Sequence, residues 1–186
     1  MNPHLSEIDP QTMLGNRRLL YFEDDGATPN SRLPVLLYHL RLAPQSDAAA
    51  GFESLFRAHQ WPPLWRAGIF SYQHYHSNAH EALGVACGHA QVMLGGAQGQ
   101  LLGLKRGDVL VLPAGTGHCC IDSSEDFLVV GAYPLGQQDY DIQRPGAQTH
   151  DASQARIAQV PLPCQDPVIG TGGWLASAWH VLTDPA

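Results

Sequence analysis

Between Gly68 and Tyr133 the chain breaks into short apolar or alternating runs, IFSYQHYH, EALGVAC, AQVMLG, QLLGL, DVLVLP, HCCID and DFLVVGAY, separated by Gly, Pro, Asn and Asp. A strand repeats every two residues and a helix every 3.6, and these runs carry no helical period. The spacing predicts a mostly β domain, a sandwich or barrel of antiparallel strands.

The flanks read differently. Residues 1–34 are polar and turn-rich, ending in Asp24-Asp25-Gly26 and Pro29-Asn30, and read as an N-terminal arm lying on the core. Leu33 to Leu42 reads as a strand. Residues 47–59 read as one short helix, with Ser46 or Asp47 as N-cap and Phe52, Leu55 and Phe56 on one face at i, i+3 and i+4. After Pro134 the chain is rich in Gly and Pro, and Trp174 and Trp179 are expected to pack this extension, residues 135–186, onto a barrel spanning 35–134. A length of 186 residues suits one domain.

Charge and composition exclude several classes. The chain carries a formal charge of -7, and its only paired basic residues are Arg17-Arg18 and Lys105-Arg106, so no basic stripe follows a phosphate backbone. The start, MNPHLSEIDPQ, lacks the basic and apolar regions of a secretory signal, and the longest apolar stretch is interrupted by Pro34, His39 and Arg41. The expectation is a cytoplasmic protein with no membrane or nucleic-acid partner. Its four cysteines, Cys87, Cys119, Cys120 and Cys164, are too sparse for a disulfide scaffold and are expected to be reduced.

Three histidines and one acidic residue stand out by spacing. His74 and His76 flank Tyr75, Glu81 follows, and His118 comes after the turn Pro113-Ala114-Gly115-Thr116-Gly117. On a strand, residues i and i+2 share a face about 7 Å apart, so His74 and His76 can aim at one point. Glu81 joins them if Ser77-Asn78 breaks the strand and a new one starts at Glu81. If the strand runs through instead, His80 takes that face and is the rival ligand.

These residues resemble the two motifs of the cupin superfamily. The first is matched by Gly68, His74, His76, Glu81 and Gly88, the second by Gly107, Pro113, Gly115 and His118, with Asp122 where Asn is usual. The segments DDGATPN, LPVLLY, HYHSNAHEALGV, LPAGTGH, FLVVGAYP and DPVIG narrow the likeness to the YjlB-like branch of bacterial single-domain cupins. The resemblance implies a single cupin barrel (a double-stranded β-helix, or jelly roll). It also implies one divalent metal ion, Fe, Mn, Zn, Ni or Cu, held by His74, His76, Glu81 and His118. Single-barrel cupins commonly pair symmetrically, which adds a homodimer to the expectations, but the branch supplies no reaction.

Three imidazoles and one carboxylate leave coordination positions free on a five- or six-coordinate ion, the condition of a catalytic site. Alternation from His74 and His76 turns Phe70 and Tyr72 inward, Cys120 follows His118, and Tyr133 adds a polar handle, giving a mostly apolar substrate pocket. By the same alternation no lysine or arginine faces inward to clamp a strongly anionic substrate. The first functional expectation is a metal-dependent oxidoreductase, a dioxygenase among the options, acting on a small organic molecule. The alternatives are an isomerase, lyase or hydrolase using the ion as a Lewis acid, and a non-catalytic small-molecule binder. No general base stands beside the ligand set unless His80 serves as one.

Overall fold

A computed structural model describes residues 14–180, and nine strands, two α-helices and a short π-helix lie among them. The strands are β1 (Leu14–Phe22), β2 (Ser31–Leu40), β3 (Pro63–Ala67), β4 (Glu81–Cys87), β5 (His89–Leu94), β6 (Gln100–Lys105), β7 (Asp108–Leu112), β8 (His118–Ser123) and β9 (Leu128–Ala132). Helix α1 is Ala48–Ala58, α2 is Ala147–Ile157, and Ala176–His180 is the π-helix. Six strands form one antiparallel sheet in the order β1-β2-β7-β4-β9-β3, and three form a second in the order β6-β5-β8.

The larger sheet is covered on both faces, which explains why β4 and β7 read as continuous apolar runs. Leu83 and Val85 of β4 face the smaller sheet, packing with Val35, Leu37, Val92, Leu94, Leu110 and Leu112 inside the barrel. Ala82 and Ala86 face the other way, toward Phe52, Phe56, Trp61 and Trp179. Between them Gly84 lets α1 approach, since a Cβ there would lie 2.8 Å from the Phe52 ring. Asp47 caps α1 by accepting from Ala50 N at 3.0 Å. The tail adds the last layer: Trp179 donates to the Pro34 carbonyl at 2.9 Å, and Trp174 meets Tyr38 edge-on at 5.4 Å.

Three expectations need correction. The supposed arm contributes β1, an edge strand in register with β2 through Leu19↔Leu36 and Leu20↔Val35, and its charged Arg17 and Arg18 suit an unpaired edge. The extension contains α2, whose sequence AQTHDASQARI has no apolar stripe and buries only Ser153, so periodicity carries no sign of it. The run Ile69–His76 is not a regular strand; only His74 and Tyr75 form isolated bridges. Four segments fall as expected: α1 lies within 47–59, β4 starts at Glu81, β8 starts at His118, and β2 overlaps Leu33–Leu42. Residues 1–13 of the expected arm and 181–186 of the expected extension lie outside the described residues.

Candidate metal centre

The segment 70–76 runs beside β8 without strand geometry. The Phe70 carbonyl accepts from Cys120 N at 2.8 Å, His74 and His118 exchange backbone hydrogen bonds of 3.2 and 2.9 Å, and the His76 carbonyl accepts from Gly115 N at 2.8 Å. Backbone pairing therefore sets His74 directly opposite His118. The turn before His118 is closed by Thr116 N bonding the Pro113 carbonyl at 3.1 Å and by Gly115 at φ 93°, where a Cβ would fall 2.4 Å from the Asn30 carbonyl. Asn30 braces this turn: its side chain accepts from Gly117 N at 3.2 Å and donates to the Glu23 and Gly95 carbonyls. Glu81, at the start of β4, is set by its register with Leu112.

The three imidazoles are buried, and one nitrogen from each lies within 4.8 Å of the others. Each opposite nitrogen, Nδ1, faces a backbone carbonyl: Tyr72 for His74 at 3.1 Å, Asp141 for His76, and Thr116 for His118 at 3.0 Å. A carbonyl only accepts, so these contacts keep the proton on Nδ1 and leave Nε2 with a lone pair directed inward. The three histidines could hold a metal ion.

Glu81 lies at the same point. Its two oxygens are 3.3 Å from His76 Nε2 and 3.3 Å from His118 Nε2. Neither contact is aligned as a hydrogen bond, and both His76 Nε2 and Glu81 Oε2 are buried without a partner. The other carboxylate oxygen accepts from the Tyr133 hydroxyl, which in turn accepts from Trp65 Nε1 at 3.0 Å. Lone pairs and a carboxylate gathered in a buried space are an arrangement that a cation would complete. A proton meets this need only in part. Burial alone would raise Glu81, yet His76 and His118 hold it well below the usual carboxylate range; burial opposes protonation of His76, but the Glu81 charge raises it overall. Burial, followed by the nearby His118, depresses His74 to about 3, so this third imidazole stays a neutral donor. The donor set suits a divalent ion of the first transition row.

These four side chains line a cavity of about 190 Å³ whose remaining wall is Trp65, Ala67, Gly68, Ile69, Phe70, Leu83, Tyr133, Tyr140 and Ile142. Phe70 and Tyr133 thus lie where the pocket was expected, but Tyr72 and Cys120 do not. Because 70–76 is irregular, strict alternation fails: Tyr72 stacks on Phe70 at 4.9 Å with the Arg144 guanidinium 3.5 Å above its ring. Cys120 packs between the sheets. His80 also lies outside the lining. Its Nδ1 accepts from Ala114 N at 2.9 Å and its ring packs 4.8 Å from Trp179, so neither its ligand role nor its base role has geometric support.

Sequence reasoning missed the strap 139–144. Tyr140 stacks on Tyr133 with centroids 4.0 Å apart, Ile142 closes the rim, and the Asp141 carbonyl orients His76. Asp141 is fixed by Ser77, whose backbone N donates to it at 2.6 Å, and by Gln143 at 2.9 Å. The strap has no periodic pattern, so only its position in space reveals it.

The fold and this centre define a cupin, and the cupin family matches residues 68–152. The chain belongs to the cupins of the YjlB-like kind. It is 37% identical over 160 residues to the uncharacterised protein YjlB of Bacillus subtilis (strain 168), covering 86% of this chain and 94% of that one. Among solved structures, tomato (Solanum lycopersicum) vicilin is similar at TM-score 0.35 and 14% identity, over 61% of this chain and 25% of that chain. The DMSP lyase DddQ from Ruegeria pomeroyi is similar at TM-score 0.35 and 14% identity, over 72% of this chain and 52% of that chain. The chain thus spans from a quarter to about half of those solved chains. No helix among the described residues is long and apolar enough to cross a membrane.

Proposed function

We propose that the protein is a metal-dependent oxidoreductase of the oxygenase kind, acting on a small organic molecule beside one divalent ion held by His74, His76, Glu81 and His118. The observation that supports this most is the convergence of three inward lone pairs and an underbonded carboxylate on the wall of an apolar cavity. Four protein donors leave positions open toward the cavity, where an exogenous ligand enters. The ion, when bound, supplies Lewis acidity and, for a redox-active metal, the means to activate oxygen.

The chain's own residues prepare that chemistry. The Tyr72, Asp141 and Thr116 carbonyls hold the imidazole tautomers and ring orientations, and Tyr133 holds one Glu81 oxygen. The apolar wall from Trp65 to Ile142 lowers the local polarity, which strengthens electrostatic interactions at the ligand set. Oxygen uptake by the iron- or manganese-loaded protein, screened over small metabolites, tests the proposal. Substrate-dependent uptake that disappears in His76→Ala supports it. Metal-dependent turnover without oxygen consumption replaces it with isomerase, lyase or hydrolase chemistry, and a ligand retained unchanged replaces it with a binding role.

A further inference from the structure

The cavity wall carries no charge of its own beyond the candidate ligand set. Among the described residues no lysine, arginine or aspartate lines it, and its surfaces are Trp65, Ile69, Phe70, Leu83, Tyr140 and Ile142 with small residues between. Arg144, which leads out of the strap, lies outside the lining with its guanidinium on the Tyr72 ring. Glu81 is the one carboxylate in the wall, and one of its oxygens is engaged by Tyr133.

From this balance we infer that the cavity selects small, largely apolar monoanions, each carrying a single acidic oxygen group such as a monocarboxylate, phenolate or enolate, and rejects dianions and polyols. The inference rests on the proposed metal site. A divalent ion beside one carboxylate and three neutral imidazoles leaves one positive charge uncompensated. In a mostly apolar pocket one anionic donor neutralises it, whereas a second negative charge finds no cation in the wall. The several hydroxyl groups of a sugar meet a mostly apolar wall in which Trp65 and Tyr133 are already paired. The volume, about 190 Å³, is below the roughly 300–1,000 Å³ typical of drug-sized sites, so one ring with a short substituent is the scale of occupant. The aromatic surfaces of Phe70 and Tyr140 suit a flat one.

Titration calorimetry on the zinc-loaded protein tests this with benzoate, 3-carbamoylbenzoate and isophthalate. The last two have nearly the same shape, and only isophthalate carries a second charge, on a rigid ring that keeps it from the same ion. Both monoanions are expected to bind, and isophthalate at least about tenfold more weakly than 3-carbamoylbenzoate. Removing the zinc should weaken benzoate by at least about tenfold. Ile142→Arg, at the half-exposed rim, should bring isophthalate to parity or better. Isophthalate binding within about threefold of its neutral-substituent partner in the unaltered protein overturns the inference, as does failure of either monoanion to bind, undiminished benzoate binding without zinc, or an unchanged order in the variant. Failure of the protein to take up zinc at all overturns the metal site itself, before any ligand is added.

Discussion

Two carboxylates are equally hidden in this molecule, and their surroundings differ. Asp166, 1% exposed, accepts four hydrogen bonds: from Val168 N at 2.8 Å, Ile169 N at 3.0 Å, Leu175 N at 2.9 Å and the Tyr38 hydroxyl. Glu81, 2% exposed, accepts one, from Tyr133, and keeps a bare oxygen beside His118. The first carboxylate knots the C-terminal tail to β2 and is complete within the protein. The second keeps an oxygen unsatisfied within the protein, and that incompleteness is what the proposed binding site has and the fastening lacks.

Breaking the fastening should have the largest effect. Asp166→Ala strands the Tyr38 hydroxyl and three backbone N–H groups, and should cost about 3–5 kcal/mol in urea unfolding while leaving zinc affinity within about threefold. Glu81→Gln should do the reverse. Glutamine keeps an acceptor for Tyr133 but loses the charge, so calorimetric zinc affinity should fall about 100-fold, while the metal-free protein changes in stability by less than about 1.5 kcal/mol. Equal losses of stability in the two variants would erase the distinction.

His80, just before β4 and directed away from the cavity, sharpens the contrast. Burial depresses it to about 3, against about 6.5 for an unfolded histidine, so the unfolded state takes up the proton first as pH falls. The stability it contributes is whole above pH 6.5 and is lost progressively toward pH 3. His74, depressed to about 3 by burial and by the neighbouring His118, acts in the same direction; His76, raised by Glu81, acts in the opposite one. In metal-free protein, His80→Gln should flatten the decline between pH 6.5 and 5 by on the order of 1–2 kcal/mol, measured as urea midpoints across that range. An unchanged slope would mean that His80 titrates normally in the folded chain. The smallest effect belongs to Tyr133→Phe, which removes the single donor to Glu81 and should weaken zinc binding about tenfold by the same calorimetry.

The sequence was most informative where residue type and spacing both constrain geometry. The motif residues from Gly68 to His118 carried the cupin likeness, and six of the seven short runs became β4 to β9. The break at Ser77-Asn78 was legible as turn chemistry, and it puts Glu81 rather than His80 on the face of the cavity. Tyr72 went astray because alternation was extended through a segment that pairs with β8 only by isolated bonds. β1 was hidden by Asn16, Arg17 and Arg18, which suit an edge strand and resemble a loop in composition. Asp141 and Asp166 act through contacts more than 60 residues away along the chain, from Ser77 to Asp141 and from Tyr38 to Asp166, and local pattern holds no trace of such pairings.

The central claim, that one divalent ion is held by His74, His76, Glu81 and His118, is tested most directly by elemental analysis of untagged protein purified without chelators, beside His118→Ala prepared in the same way. The account predicts about one equivalent of a first-row transition metal per chain in the first and less than about a tenth in the second. Metal-free protein that takes up no Fe, Mn, Ni, Cu or Zn on incubation, or a variant that retains a full equivalent, would contradict it.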